Sequence, residues 1–153
     1  MARLLLTAQQ SVADTVAYTA LDTNLSVDSK LGWEIKGMDV LWGNAFQASM
    51  QADWTMYVKL STKQADLTWG DPDLIDFANW QNQSVGTLLL GSQQIQSRKF
   101  SELQEPRLTV QPNLFVAVSS TGTGQINSVG VAIYYDVVKL TDLDVMRLLA
   151  GGA

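Results

Sequence analysis

Apolar and polar residues alternate along much of the chain with the period of β-strands. In DWTMYVKLS, residues 53–61, Trp54, Met56, Val58 and Leu60 alternate with Thr55, Tyr57, Lys59 and Ser61, which predicts a strand buried on one face. LGWEIKGMDVLWG, residues 31–43, keeps the same period but slips phase: Trp33 and Ile35 are odd, whereas Met38, Val40 and Trp42 are even. The slip falls at Gly37, and a glycine there predicts a β-bulge or a sharp bend where a strand passes from one sheet to another. Towards the C-terminus, PNLFVAVSS offers Leu114, Val116 and Val118 on one face. SVGVAIYYDVVKL offers Val129, Val131, Ile133, Tyr135 and Val137.

Weaker strand patterns cover 12–21, 85–90, 93–100 and 107–110, the middle two parted by Gly91-Ser92 and the last pair by Glu105-Pro106. Helical signals are few. Asp71 before Pro72 reads as a helix cap over 72–80, with Leu74, Ile75 and Phe77 turned inward. Thr141 followed three residues on by Asp144 is close to a capping box and predicts a closing helix over 141–149, stopped by Gly151-Gly152. The loop STGTGQINS between the last two strands exceeds a two-residue turn, carries two glycines able to take positive φ, and reads as an exposed, mobile hairpin tip. The expected fold is all-β: an antiparallel jelly-roll sandwich or barrel of about eight strands, forming one domain over 1–153 with no repeat or linker.

Composition narrows the function. With 46% hydrophobic and 16% charged residues, the 153-residue chain can bury a core without a cofactor, and its polar surface must consist largely of amides and hydroxyls. Such groups cost less to desolvate than charges, which suits packing against further copies of the chain. There is no histidine and no cysteine, which removes disulfides, thiolate metal sites and the commonest general base. A net charge of −5 and ten scattered basic residues supply no footprint for nucleic acid. The opening MARLLLTAQQ is interrupted by Gln9 and Gln10 before it reaches the length of a signal-peptide core. No apolar run approaches the roughly 18 residues of a membrane span.

Candidate chemistry is sparse. Asp71, Asp73 and Asp76 resemble part of a calcium loop but depart from its spacing at the third ligand, and helix capping explains the same residues. A glycosidase pair would have to come from Glu34, Asp39, Glu102, Glu105 and Asp136, none of which is singled out by position. The TGTGQINS loop lacks the lysine and following helix of a phosphate loop. Among the five tryptophans, Trp33 and Trp54 sit in the apolar phase of their strands. Trp69 and Trp80 flank a loop rich in Asp and Pro and are the candidates for exposure. A carbohydrate-binding β-sandwich using exposed tryptophans is therefore the rival reading.

Short strands, long polar loops, and the segments LGWEIKGMDVLWG, DWTMYVKLS and LFVAVSSTGTGQINSVGVAIYYDVVKL together look like the single jelly-roll coat proteins of small viruses. The resemblance covers the chain in architecture and rests on no specific motif. It implies a non-enzymatic virion subunit, assembled in the host cytoplasm into a symmetric shell of pentamers, hexamers or other capsomers, alone or with other virion proteins. Many such proteins carry an Arg/Lys-rich N-terminal arm, and MARLLLTAQQ departs from that pattern, so no direct genome binding through a basic arm is expected. On this reading the subunit interface draws on Leu4, Leu5 and Leu6, on Trp69 and Trp80, and on Thr121, Thr123 and Gln125. No catalytic residue, metal or cofactor is called for.

Overall fold

The computed structural model describes residues 1–42, 53–68, 70–85, 88–97 and 107–151. Among the described residues nine strands form two antiparallel sheets: β1 Ala2–Gln9, β2 Ala17–Asp22, β3 Leu31–Trp42, β4 Trp54–Ser61, β5 Leu74–Val85, β6 Leu88–Ser97, β7 Arg107–Thr109, β8 Asn113–Thr121 and β9 Ser128–Lys139. A 3₁₀ turn, Val27–Ser29, precedes β3, and one helix, α1 Asp142–Gly151, follows β9. One sheet has the order β1-β9-β3-β7 and the other β2-β8-β4-β5-β6. The fold is an all-β sandwich.

Pairing is nested. β1 pairs with β9, β2 with β8 and β3 with β7, so that strands counted inward from the two ends of the chain lie side by side. β4, β5 and β6 close the series as a meander. Between the sheets lie Ile35, Met38, Val129, Val131 and Ile133 from one, and Met56, Val58, Leu60, Ala78, Trp80, Leu114, Val116 and Val118 from the other, all buried. The predicted inward phases of β3, β4 and β8 are those observed. In β9 the alternation holds through Tyr135, which stacks on Trp33 at 3.7 Å between ring centroids, whereas Val137 is exposed.

The slip at Gly37 is a bulge. Ile35 pairs with Tyr135 and Gly37 with Tyr134, leaving Lys36 as the extra residue, and Gly37 takes φ 144°. The strand does not change sheets there; both halves of β3 pair with β9.

No helix forms over 72–80. Asp71 Oδ1 accepts the Asp73 N–H at 3.0 Å, and the Leu74 N–H bonds the Asp71 carbonyl at 3.1 Å, so Asp71-Pro72-Asp73 is a turn that feeds β5. The strand was hidden by a second bulge. Leu60 pairs with Asp76 but Ser61 with Leu74, so Ile75 is extra and both Ile75 and Asp76 are buried, which breaks the period-2 pattern. The other weak patterns shift as well. At 12–16 the chain turns, with Asp14 at φ 55° and Thr15 Oγ1 donating to the Val12 carbonyl at 2.7 Å, so β2 begins at Ala17. β6 runs unbroken through Gly91-Ser92, and residues 98–100 lie outside the described segments.

The closing helix has its predicted cap. The Asp144 N–H donates to Thr141 Oγ1 at 3.2 Å, and Asp144 Oδ2 accepts the Thr141 hydroxyl at 2.7 Å and its N–H at 3.2 Å. The Thr141 hydroxyl and backbone N–H, followed by nearby Arg147, hold the Asp144 carboxyl below its ordinary value despite a small opposing desolvation.

The two bulges meet at Asp76. Its Oδ1 accepts the Phe77 N–H at 2.8 Å, and its Oδ2 crosses to the other sheet to accept the Met38 N–H at 3.3 Å, beside the Gly37 bulge. Asp76→Ala removes a buried acceptor and strands two donors, so it should lower stability by about 2–4 kcal/mol. Asp76→Asn, which retains one oxygen, should lose less; urea midpoints at unchanged slope would measure both.

Candidate interface and the loops at one pole

The apolar run at the N-terminus belongs to the sandwich. Leu4 and Leu6 face inward and pack against the core, paired with Ile133 and Val131. Leu5, between them, points outward and is 64% exposed. On the same outer face β9 presents Gly130 and Ala132, and β3 presents Asp39 and Leu41, the latter 76% exposed. The two small residues form a low floor between the leucines of the flanking strands. The result is a groove of about 560 Å³ lined by Leu5, Leu6, Thr7, Asp39, Val40, Leu41, Gly130, Val131 and Ala132. Its lining is predominantly hydrocarbon, with the Asp39 carboxylate as the charged group, held by a 3.1 Å hydrogen bond from the Tyr134 hydroxyl. An apolar trough framed by leucines standing in water is the kind of surface that another protein surface covers.

The loop between β8 and β9 is no mobile tip. Thr123 and Asn127 are fully buried, and with Gln10 and Ser120 they form a polar plug at one end of the core. Gln10 Oε1 accepts from the Asn127 backbone N–H at 3.0 Å and from Asn127 Nδ2 at 2.9 Å, while Gln10 Nε2 donates to Ser120 Oγ at 2.9 Å and to the Thr15 carbonyl at 2.6 Å. Asn127 Nδ2 also reaches Thr123 Oγ1 at 3.0 Å. The ring of contacts fixes the amide orientations, because each donor meets an acceptor.

Asp14, from the β1–β2 connection, completes this pole. Its Oδ1 accepts the Thr123 N–H at 2.9 Å, the Thr123 hydroxyl at 2.8 Å and the Ser120 hydroxyl at 3.0 Å; its Oδ2 accepts the Gly124 N–H at 3.0 Å. Gly122 and Gly124 adopt φ 75° and 64°, and a side chain at Gly122 would run into the Asp53 carbonyl, so the loop needs glycine there. The TGTG stretch does cradle an anion, and that anion is a carboxylate of the same chain. The sequence argues against an external anion and carries no signal for the internal one, because Asp14 stands more than a hundred residues from the loop.

The other expected sites fall as follows. Leu4, Leu5 and Leu6 are one strand, of which Leu5 alone is available to a neighbour. Thr121 is exposed, Thr123 is consumed in the plug, and Gln125 is half-buried with Nε2 donating to Asn127 Oδ1 at 3.0 Å. Trp80, expected to be exposed, is 1% exposed: it is an inward residue of β5, with its ring edge-on to Trp54 at 5.2 Å and tilted against Trp42 at 5.8 Å. Trp69 lies outside the described residues. Trp33 and Trp54 are buried, so three of the four described tryptophans are core and offer no sugar platform.

Among the acidic residues, Glu34 and Asp136 are cross-strand partners bridged by Lys36 at 2.7 and 3.8 Å, and Asp136 also meets the N-terminal ammonium at 3.1 Å. Glu102 and Glu105 lie outside the described residues. Asp73 accepts the Thr62 hydroxyl at 3.0 Å, so Asp71, Asp73 and Asp76 serve a turn and two bulges. Among the described residues no group of three or more His, Cys, Asp or Glu could hold a metal ion, and no helix is long and apolar enough to cross a membrane. A second, polar recess of about 290 Å³ lies over Asp14, Tyr57, Lys59 and Ser119, where Lys59 is held by Asp66 at 2.6 Å and the Leu67 carbonyl at 2.7 Å. No family model matches the chain, and no curated protein is significantly similar to it.

Burial raises the Asp14 carboxyl, but the Gly124 N–H, the Thr123 hydroxyl and N–H and the Ser120 hydroxyl outweigh it and leave the group below its ordinary 3.8. On acidification the unfolded chain therefore takes up this proton before the native one does. The stabilisation from Asp14 should be complete above about pH 5 and lost as the pH falls through the ordinary carboxylate range and then the native value. Asp14→Asn should flatten the acid limb of stability against pH measured by urea unfolding. Asp14→Ala should cost about 1–2 kcal/mol at neutral pH, water replacing part of the lost acceptor at this exposed side chain.

Proposed function

We propose that the chain is a non-enzymatic shell subunit with a jelly-roll fold, a virion capsid protein that assembles in the host cytoplasm through its outer sheet face and loops. The nested strand order supports the jelly-roll reading. A jelly roll pairs the chain with itself as a long folded hairpin, and β1·β9, β2·β8 and β3·β7 are three successive rungs of such a hairpin. β6 extends the second sheet at its edge beyond β5.

The observation that carries the functional reading is the apolar groove on the β1-β9-β3 face. Its lining includes two outward leucines, and on a chain with only 16% charged residues a neighbour meets little desolvation cost there. Where polar groups do converge, they are bonded to one another in structural roles: Gln10, Asp14, Ser120, Thr123 and Asn127 close a pole, and Asp76 joins two bulges. Contacts of this size are weak singly and become a stable shell when repeated under symmetry.

Light scattering over a range of concentration and salt, followed by negative-stain imaging, tests the reading. The mass should rise from the 16.7 kDa of one chain to defined multiples, with rings or closed shells in the images. A single-chain mass at every concentration and salt would overturn it.

A further inference from the structure

The closing helix is amphipathic the wrong way round for a monomer. α1 seats Val145, 5% exposed, against the body and leaves Leu143 at 56% and Met146 at 66% in water, with Leu149 also exposed. At about 100° per residue, Leu143, Met146 and Ala150 form a single ridge, with Arg147 along one flank. A helix that buries the lesser part of its apolar surface has a second face to cover. The groove described above is an outer apolar trough, and the chain's own helix supplies none of its lining. α1 leaves β9 at Lys139, whereas the groove floor is Gly130 and Ala132, roughly 23 Å back along the strand.

We infer that the occupant of the groove is α1 of a second copy, its Leu143–Met146 ridge lying between Leu5 and Leu41 over the Gly130–Ala132 floor. Charge agrees with the seating: Asp39 is the charged group in the groove wall, and Arg147 flanks the ridge that enters it. The two surfaces lie at opposite ends of β9. Repeated head-to-tail the contact propagates into a ring or a lattice, as the shell reading requires, whereas exchanged reciprocally about a two-fold axis it stops at a dimer, which the mass distinguishes. This inference rests on the shell reading and names the interface that reading requires.

The chain has no cysteine, so two single substitutions report the contact directly. Leu41→Cys and Met146→Cys both replace exposed side chains and should leave the fold intact. Mixed in equal amounts under oxidised glutathione, the two variants should form a disulfide-linked pair at least about tenfold faster than either variant alone, because only the mixture holds the two thiols together. Asp39→Lys and Arg147→Glu should each weaken association several-fold, and the double variant should recover it, as close charge pairs do when reversed together. A mixture that links no faster than its components overturns the inference; if the wild-type mass still rises, the shell reading stands with another interface. Rapid linking by a protein whose mass stays below a ring supports the contact and removes the shell.

Discussion

A β-sandwich covers its core along two faces and leaves it open at the poles, where strands end and backbone groups lose their partners. Here one pole is closed by a single carboxylate. Asp14 takes four hydrogen bonds, three from the β8–β9 loop and one from Ser120 at the end of β8, and beneath it Gln10, Ser120, Thr123 and Asn127 exchange hydrogen bonds in a buried ring. Burying such groups is costly unless all are satisfied, so the ring favours one conformation of both connections at once. That constraint sets the register at which β1 enters and β9 leaves the pole. The Gln10 N–H bonds the Asn127 carbonyl at 3.0 Å, one step beyond the Gln9–Ser128 pair.

Register at the pole decides what the outer face presents. Side chains on a strand alternate, so a slip of one residue between β1 and β9 would send Leu5 inward and Leu4 and Leu6 out. With the pole fixed, Leu5, Ala132 and Asp39 are neighbours across three strands, as are Thr7, Gly130 and Leu41 one step further on. Asp76 performs the same service at depth, holding the bulged β3 against β5 so that Met38, Val40 and Trp42 turn inward and Asp39 and Leu41 outward. Two carboxylates held in hydrogen bonds between strands and loops thus determine where the apolar groove lies.

The parts of this fold that could be read from the sequence are those where period 2 runs unbroken. Trp54 to Leu60 and Leu114 to Val118 announce their faces directly, and Gly37 marked its bulge because the alternation changes phase on either side of a glycine. Residues 72–80 were misread for the converse reason. Ile75 is a bulge without a glycine, and a buried aspartate occupies the next inward position, so the spacing of Leu74 and Phe77 imitates a helix. Trp80 looked exposed because it flanks a stretch rich in Asp and Pro that reads as a loop, whereas that stretch feeds a core strand. The groove was beyond sequence reasoning altogether: Leu5 and Leu41 are 36 residues apart and share a face only because β9 lies between their strands. The polar plug was beyond it too, since Asp14 is more than a hundred residues from the loop it holds.

The proportion of apolar to charged contact sets how such an interface behaves. An ion pair between exposed groups contributes little and is screened by salt, while three leucines and a methionine withdrawn from water act through buried area, which salt does not screen. On the proposed reading, association through the groove depends on side-chain shape, with Asp39 and Arg147 setting which way round the helix lies. The floor matters for that reason. A Cβ at Gly130 would sit 3.4 Å from the Leu41 Cβ, so the glycine is what keeps the trough open beside that leucine. Open troughs with hydrocarbon walls select partners by fit, and a chain with few charges has few other means of choosing its neighbours.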